Sequence, residues 1–213
     1  MGKEYGKVKI DMDNWGRREI FDFFSGMSNP FYMVTYTEDV TALRRFTKER
    51  GLSFYYSLVY LCTRAMNSVE AFNYAIRGGE VHLLGGRMPS FTDLKPGADL
   101  FHIVTMPCGG SLEDFCREAR AASLSQDCFI RSAAETDELI YFSCLPWVEL
   151  TAMTNERNLD PDDSVPRVSW GRYVEEAGRV RLNISLELNH RLLDGLHVGR
   201  FHEALSALMA GLG

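Results

Sequence analysis

Between Val180 and Leu188 apolar and polar residues alternate without interruption: Val180, Leu182, Ile184, Leu186 and Leu188 share one face, and their polar neighbours share the other. This period of two predicts a strand with one face in a core and one outside it. The strand runs straight into Asn189-His190-Arg191-Leu192-Leu193-Asp194-Gly195, after which Val198, Phe201, Leu205, Leu208 and Leu212 recur at helical spacing. A half-buried strand returning through a short turn into an amphipathic helix requires a sheet covered by helices on at least one face.

The rest of the chain repeats the theme without a strict strand-helix-strand rhythm. Phe31–Thr37 is aromatic and β-branched, which predicts a strand. Val40, Leu43 and Phe46 mark a helix stopping before Gly51, and Leu58, Leu61, Cys62, Ala65 and Val69 mark a second, largely buried one. Gly78-Gly79 sits where a hairpin would turn. Further strands are predicted over Ser90–Leu94, Leu100–Met106, Leu139–Ser143 and Val168–Val174, with a helix from a weak Ser111-Leu-Glu-Asp114 capping box to about Ser123. Asn155–Pro166, polar and carrying Pro161 and Pro166, reads as a surface loop. The expected fold class is α/β, a two-layer sandwich in which a mixed sheet is covered by helices. At 213 residues one domain spanning 1–213 is expected, with a core that needs no staple.

Composition narrows the partners. A net charge of −6 argues against nucleic acid held through its phosphates. No run approaches a membrane span, and Met1–Glu19 has no apolar signal region, so a cytoplasmic protein is expected. The five cysteines (Cys62, Cys108, Cys116, Cys128 and Cys144) show neither paired nor metal-ligand spacing, so neither disulfides nor a metal is expected.

Chemistry concentrates at His190. A histidine at a strand end is held by the sheet yet reachable from a cleft, and its near-neutral pKa suits proton removal from a hydroxyl or thiol. Asp194 could fix the local geometry or anchor a distant arginine, without having to touch the imidazole. By residue type alone a histidine near an aspartate is more often structural, and His82, His102, His197 and His202 are read that way.

The motif His-x-x-x-Asp-Gly after an alternating strand resembles the signature of coenzyme A-dependent acyltransferases. Asn14-Trp15-Gly-Arg17-Arg18-Glu19, Pro89-Ser-Phe91-Thr92, Phe142-Ser143-Cys-Leu-Pro146-Trp147 and Trp170-Gly171-Arg172-Tyr173 extend the resemblance to the chloramphenicol acetyltransferase family over residues 8–212. The resemblance implies acetyl-CoA as co-substrate, a homotrimer with active sites between subunits, and a small-molecule acceptor. It implies His190 as general base, Ser143 as oxyanion donor, Asp194 paired with Arg17 as scaffold, and Ser169 near the intermediate. Phe23, Phe24, Tyr32, Phe91, Thr92, Phe101 and Ile103 would line the acceptor pocket, and Tyr55, Trp147, Arg172 and Tyr173 the coenzyme tunnel.

The chain departs from that pattern in places. Asn189 stands where the family has a first histidine, Arg191 where it has a small residue, and Leu196 where it has an aromatic. Phe24 lacks the hydroxyl of a chloramphenicol-binding tyrosine, Pro30 replaces a small residue, and Asn155 replaces a leucine in the expected strand Glu149–Asn155. His190-Arg191-x-x-Asp194-Gly195 also resembles the dihydrolipoyl acyltransferase version of the motif. Three functions therefore stand open: acetylation of chloramphenicol or a similar drug, acylation of another hydroxyl or thiol, and non-catalytic binding by a trimer.

Overall fold

Capping and turn residues set most element boundaries in the computed structural model, which describes residues 8–212. A short strand β1 (Val8–Lys9) and helix α1 (Arg18–Ser25) precede the long strand β2 (Phe31–Asp39). Helix α2 (Thr41–Arg50) ends on Gly51, whose φ of 65° is open to glycine at little cost. Ser53 caps α3 (Phe54–Asn67) by accepting from the Tyr56 N–H. The hairpin β3 (Tyr74–Arg77) and β4 (Glu80–Leu83) turns at Gly78-Gly79, both at positive φ.

Strands β5 (Met88–Asp93) and β6 (His102–Thr105) follow, then α4 (Leu112–Ser125), capped by Ser111 on the Asp114 N–H. Strand β7 (Leu139–Leu145), β8 (Arg167–Gly171), β9 (Val174–Glu176), β10 (Arg179–Asn189) and helix α5 (Gly195–Ala210) complete the chain.

The main sheet has seven strands in the order β2-β10-β8-β7-β5-β6, with β9 continuing the line of β8 along β10; β1, β4 and β3 form a second, small sheet. β7 is parallel to both β5 and β8 and the other pairs are antiparallel, so the sheet is mixed, as expected. Leu182, Ile184, Leu186 and Leu188 of β10 lie in the core with Val168, Trp170, Ile140 and Phe142, covered by α2, α3, α4 and α5. The opposite face is polar: Ser143, Ser169, Ser185 and Thr35 stand in register across four adjacent strands, and Thr35 and Ser185 share a 2.7 Å hydrogen bond.

Three expectations are corrected. Val168–Val174 is not one strand: at Gly171 the chain passes so close to Val148 that a Cβ would strike its carbonyl, and the Arg172 N–H turns to that carbonyl at 2.7 Å. Glu149–Asn155 forms no strand. It crosses the polar face on side-chain bonds, with Asn183 donating to the Leu150 carbonyl, the Met153 N–H to Ser185, and the Asn155 N–H to Glu187. Within the expected surface loop, Ser164, Val165 and Pro166 are buried. Helix α1 has no counterpart in the sequence reading, because only Phe21 of its eight residues is buried and its apolar period is short.

The β9–β10 turn carries a strained residue, Ala177, at φ 50° beside Gly178 at 77°. Both values belong to the hairpin turn that favours Asn-Gly. Ala177→Asn is expected to stabilise the protein by about 0.5–1 kcal/mol, read as a higher urea midpoint at unchanged slope.

Candidate active site

The five residues joining β10 to α5 are held from several directions. The His190 N–H donates to the Pro30 carbonyl at 2.8 Å, which fixes the end of the strand against the segment entering β2. Arg17, just before α1, spreads its guanidinium over the turn: Nη1 donates to Asp194 Oδ2 at 2.6 Å, Nε to the Arg191 carbonyl at 2.9 Å, and Nη2 to the His190 carbonyl at 3.1 Å. A planar fork with several fixed donors suits this task better than a lysine could. Burial alone would raise the Asp194 carboxyl, but Arg17, His197 and the Leu196 N–H outweigh it and hold it below the usual carboxylate range. Asp194 also caps α5, and His197 closes a reciprocal capping box by accepting from the Asp194 N–H.

The His190 ring lies on Phe24 with centroids 4.0 Å apart and planes 29° apart, and Tyr32 approaches at 4.5 Å. Two aromatic faces fix the ring plane, and neither ring nitrogen is hydrogen-bonded to a described residue. Burial and the Arg17 charge lower the imidazole pKa below 6.5, against the opposing pull of Asp194. At neutral pH the ring is uncharged.

Arg17→Ala and Asp194→Ala are each expected to destabilise by about 2–3 kcal/mol and to be strongly non-additive, since either change strands the other charge. Their electrostatic effects on His190 have opposite signs: losing Arg17 raises its titration midpoint and losing Asp194 lowers it. Chemical denaturation of the double-mutant cycle and NMR titration of the ring check both statements.

Ser143 lies elsewhere. It borders a cavity of about 720 Å³ between the ends of β5 and β7 and the helices α3 and α4. Thr92 and Phe101, from the acceptor set, and Tyr55 and Trp147, from the coenzyme set, border the same space. The Tyr55 hydroxyl donates to the Thr92 carbonyl, tying α3 to β5. Tyr56, Asp93, Lys95 and Arg120 also line it, with the Tyr56 hydroxyl on Asp93 at 2.5 Å. Sequence pattern does not single these out, because polar residues on helix surfaces and past a strand end carry no periodic signal.

Other expected residues fall differently. Phe91 is fully buried among Tyr55 and Tyr56 and is a core residue rather than a pocket wall, because β5 turns it toward the helices. Ser169 is buried beside Ser143 in the hydroxyl row, where Asn155 Nδ2 donates to it at 3.0 Å. Ile103 is half-buried on β6 outside the cavity lining, and its carbonyl accepts from Gln126. Tyr173 packs on Phe54 and under Arg44, and Arg172 is exposed. Phe23, exposed, stacks edge-on against Phe24.

Within one chain His190 and Ser143 are far apart. Ser143 is in register with Ser169 and Ser185, two strands across, and His190 lies five residues beyond Ser185. Strand spacing and rise put the two roughly 18 Å apart, too far to share one reacting atom.

The family profile described as chloramphenicol acetyltransferase matches residues 5–206. Chloramphenicol acetyltransferase 2 of Escherichia coli is 27% identical over 204 residues, covering 94% of this chain and 96% of that protein. Among solved structures, a chloramphenicol acetyltransferase superposes with a TM-score of 0.86 at 24% identity, covering 96% of this chain and all of the other. The dihydrolipoamide acetyltransferase of Azotobacter vinelandii superposes with a TM-score of 0.66 at 20% identity, covering 90% and 86% of the two chains. With a profile match over nearly the whole chain and the fold in agreement, the chain belongs to the chloramphenicol acetyltransferase family, within the coenzyme A-dependent acyltransferase superfamily.

Proposed function

We propose that this protein is an acetyl-CoA-dependent O-acetyltransferase of the cytoplasm, acting on chloramphenicol or a similar small hydroxyl compound. The observation that carries the reading is the uncharged His190 ring, clamped by Phe24 and Tyr32 with neither nitrogen hydrogen-bonded to a described residue. His190 takes the acceptor hydroxyl proton as the oxygen attacks the thioester carbonyl carbon. The Ser143 hydroxyl donates to the oxyanion, a contribution of about 3 kcal/mol for a well-aimed donor. Collapse of the intermediate breaks the carbon–sulfur bond, and the thiolate of coenzyme A recovers the proton from the imidazolium. Transfer is direct: Cys144 also borders the cavity, but burial pushes its thiol up to about 12 and makes it a poor nucleophile.

The separation of His190 from Ser143 supports a site closed by a second copy, as in the homotrimer that the family resemblance implies. Exposed apolar residues occur at both ends of the sheet: Ile20, Phe23, Met27 and Leu196 near His190, and Leu100, Phe101, Phe129 and Trp147 near the cavity. Contact between two unlike patches is heterologous, the kind of interface that builds a ring when its rotation closes. A more polar acceptor than chloramphenicol is the second reading, favoured by Asn155, whose side chain bonds Ser169 and Glu187 beside the Ser143 row.

The test is release of free thiol from acetyl-CoA, with and without chloramphenicol, in wild type and His190→Ala, against a no-acceptor blank. Chloramphenicol-dependent release lost in the variant supports reaction, acceptor and base together. Binding of acetyl-CoA without release moves the acceptor to the second reading. Phe24→Tyr places a hydroxyl beside His190, and its KM for chloramphenicol is expected to fall about fivefold, one ordinary hydrogen bond.

A further inference from the structure

Asn189 and Arg191 flank His190, and both are buried, 4% and 5% exposed. A carboxamide and a guanidinium are costly there unless their polar atoms are used, and here they are used on each other and on one loop. Asn189 Oδ1 accepts from the Arg191 N–H at 3.0 Å and from Arg191 Nε at 3.1 Å. Asn189 Nδ2 donates to the Asp163 carbonyl at 2.8 Å, and Arg191 Nη2 donates to the Pro161 carbonyl. The Arg191 guanidinium also lies 5.8 Å from the Phe21 ring of α1, so it spans from that helix to the loop.

The loop at residues 157–166 is itself immobilised. The Asp162 carboxylate accepts from the N–H groups of Gly78 and Gly79 at the β3–β4 turn. Asp163 pairs with Arg157 at 2.8 Å and Arg167 at 3.1 Å. Ser164 Oγ accepts from the Ile76 N–H at 3.2 Å. Asp160, Asp162 and Asp163 together surround Arg191 with the negative charge that a buried guanidinium needs.

We propose that Asn189 and Arg191 are positioning residues for His190, fastening its turn to this acidic loop on the side that Arg17 does not reach; the proposal rests on the reading of His190 as the base. Arg17 restrains the carbonyls of residues 190 and 191 from the α1 side, and the Asn189–Arg191 pair restrains the backbone on both sides of the histidine from the loop. Neither side chain touches the imidazole. They act through the main chain, which must hold a base within about 0.5 Å of its working position. The two departures from the family's motif are thus one device: Arg191 fits because Asn189 accepts from it, and both fit because the loop presents two carbonyls.

The test uses the full chain with ¹⁵N-labelled histidine, reading the His190 ring signals, assigned by their loss in His190→Ala, in wild type, Asn189→Ala, Arg191→Gln and Arg191→Lys. One sharp set of ring signals is expected in wild type, and broadened or doubled signals in Asn189→Ala and Arg191→Gln. In parallel kcat is expected to fall 10- to 100-fold with the KM for acetyl-CoA within twofold. Arg191→Lys, which can reach the Pro161 carbonyl, recovers part of the loss. Folded variants with wild-type ring signals overturn the proposal. Should Arg191→Gln fail to fold, Asn189→Ala removes the same tether with a smaller buried charge defect. The ring signals are read without any acceptor, so inactive wild type would count against His190 as base while the tether is still decided.

Discussion

Replacing His190 by alanine is expected to lower kcat by about 10³-fold or more while leaving the protein folded. General-base catalysis by one side chain accounts for about 10²–10⁴ in rate, and no other described imidazole is placed to substitute: His197 is engaged in the α5 cap, His102 with Ser123 and His202 with Glu38, and His82 lies on β4 of the small sheet. The fold should survive because the backbone bond to Pro30 and the Arg17 bonds to the turn carbonyls do not involve the ring. Loss of ring contacts with Phe24 and Tyr32 should cost only a few degrees in Tm. The wild-type pH profile checks the electrostatic half. An acid-side break in kcat/KM is expected below 6.5, because burial and Arg17 disfavour the imidazolium. A break above that value, or an alanine variant with near-normal kcat, would remove His190 from the chemistry.

Replacing Arg87 by methionine is expected to be among the most destabilising single changes, about 5 kcal/mol. Its side chain is nearly inaccessible, and its guanidinium donates to five main-chain carbonyls: Phe72, Tyr74, Asp137, Leu139 and Ser164. These carbonyls belong to the turn that enters β3 and its first residue, the entry and first residue of β7, and the loop before β8. Methionine fills a similar volume but leaves five buried acceptors without donors, each worth roughly 1–3 kcal/mol where water cannot enter. Burial lowers the Arg87 pKa to about 10, so it remains charged at neutral pH and no proton transfer relieves the site. For a chain of this length the loss corresponds to a drop of about 10–15 °C in Tm. A shift under 3 °C would mean that water satisfies the carbonyls.

The elements that the sequence makes legible are those whose order is local. Alternation in β10, the Gly51 and Ser111 stop and start signals, and the Gly78-Gly79 turn each depend on residues a few positions apart. What escapes depends on distant partners. Gly171 looks like an ordinary strand residue until Val148 is known to cross it, and Phe91 looks like pocket or core with equal right until β5 is oriented. Arg87 carries no sequence signal at all, because its acceptors are main-chain atoms and any residue supplies those. The pairing of Arg17 with Asp194 was within reach only through the family resemblance, 177 residues being far beyond any periodic rule. Asn189 and Arg191, by contrast, are visible as departures but become intelligible only with the loop beside them.

The two ends of the hydroxyl-bearing sheet have a consequence for how such a protein would be regulated. On the proposed reading, a base at the end of β10 and an oxyanion donor two strands away on β7 would leave an isolated chain, however well folded, with two half-reagents. Output per chain would then depend on how many chains surround it: at low abundance most copies would be solitary and silent, and a modest rise in synthesis would recruit both the new copies and the idle ones. Gene dosage would act on such an enzyme as a gain control, steeper than proportional, without any effector molecule.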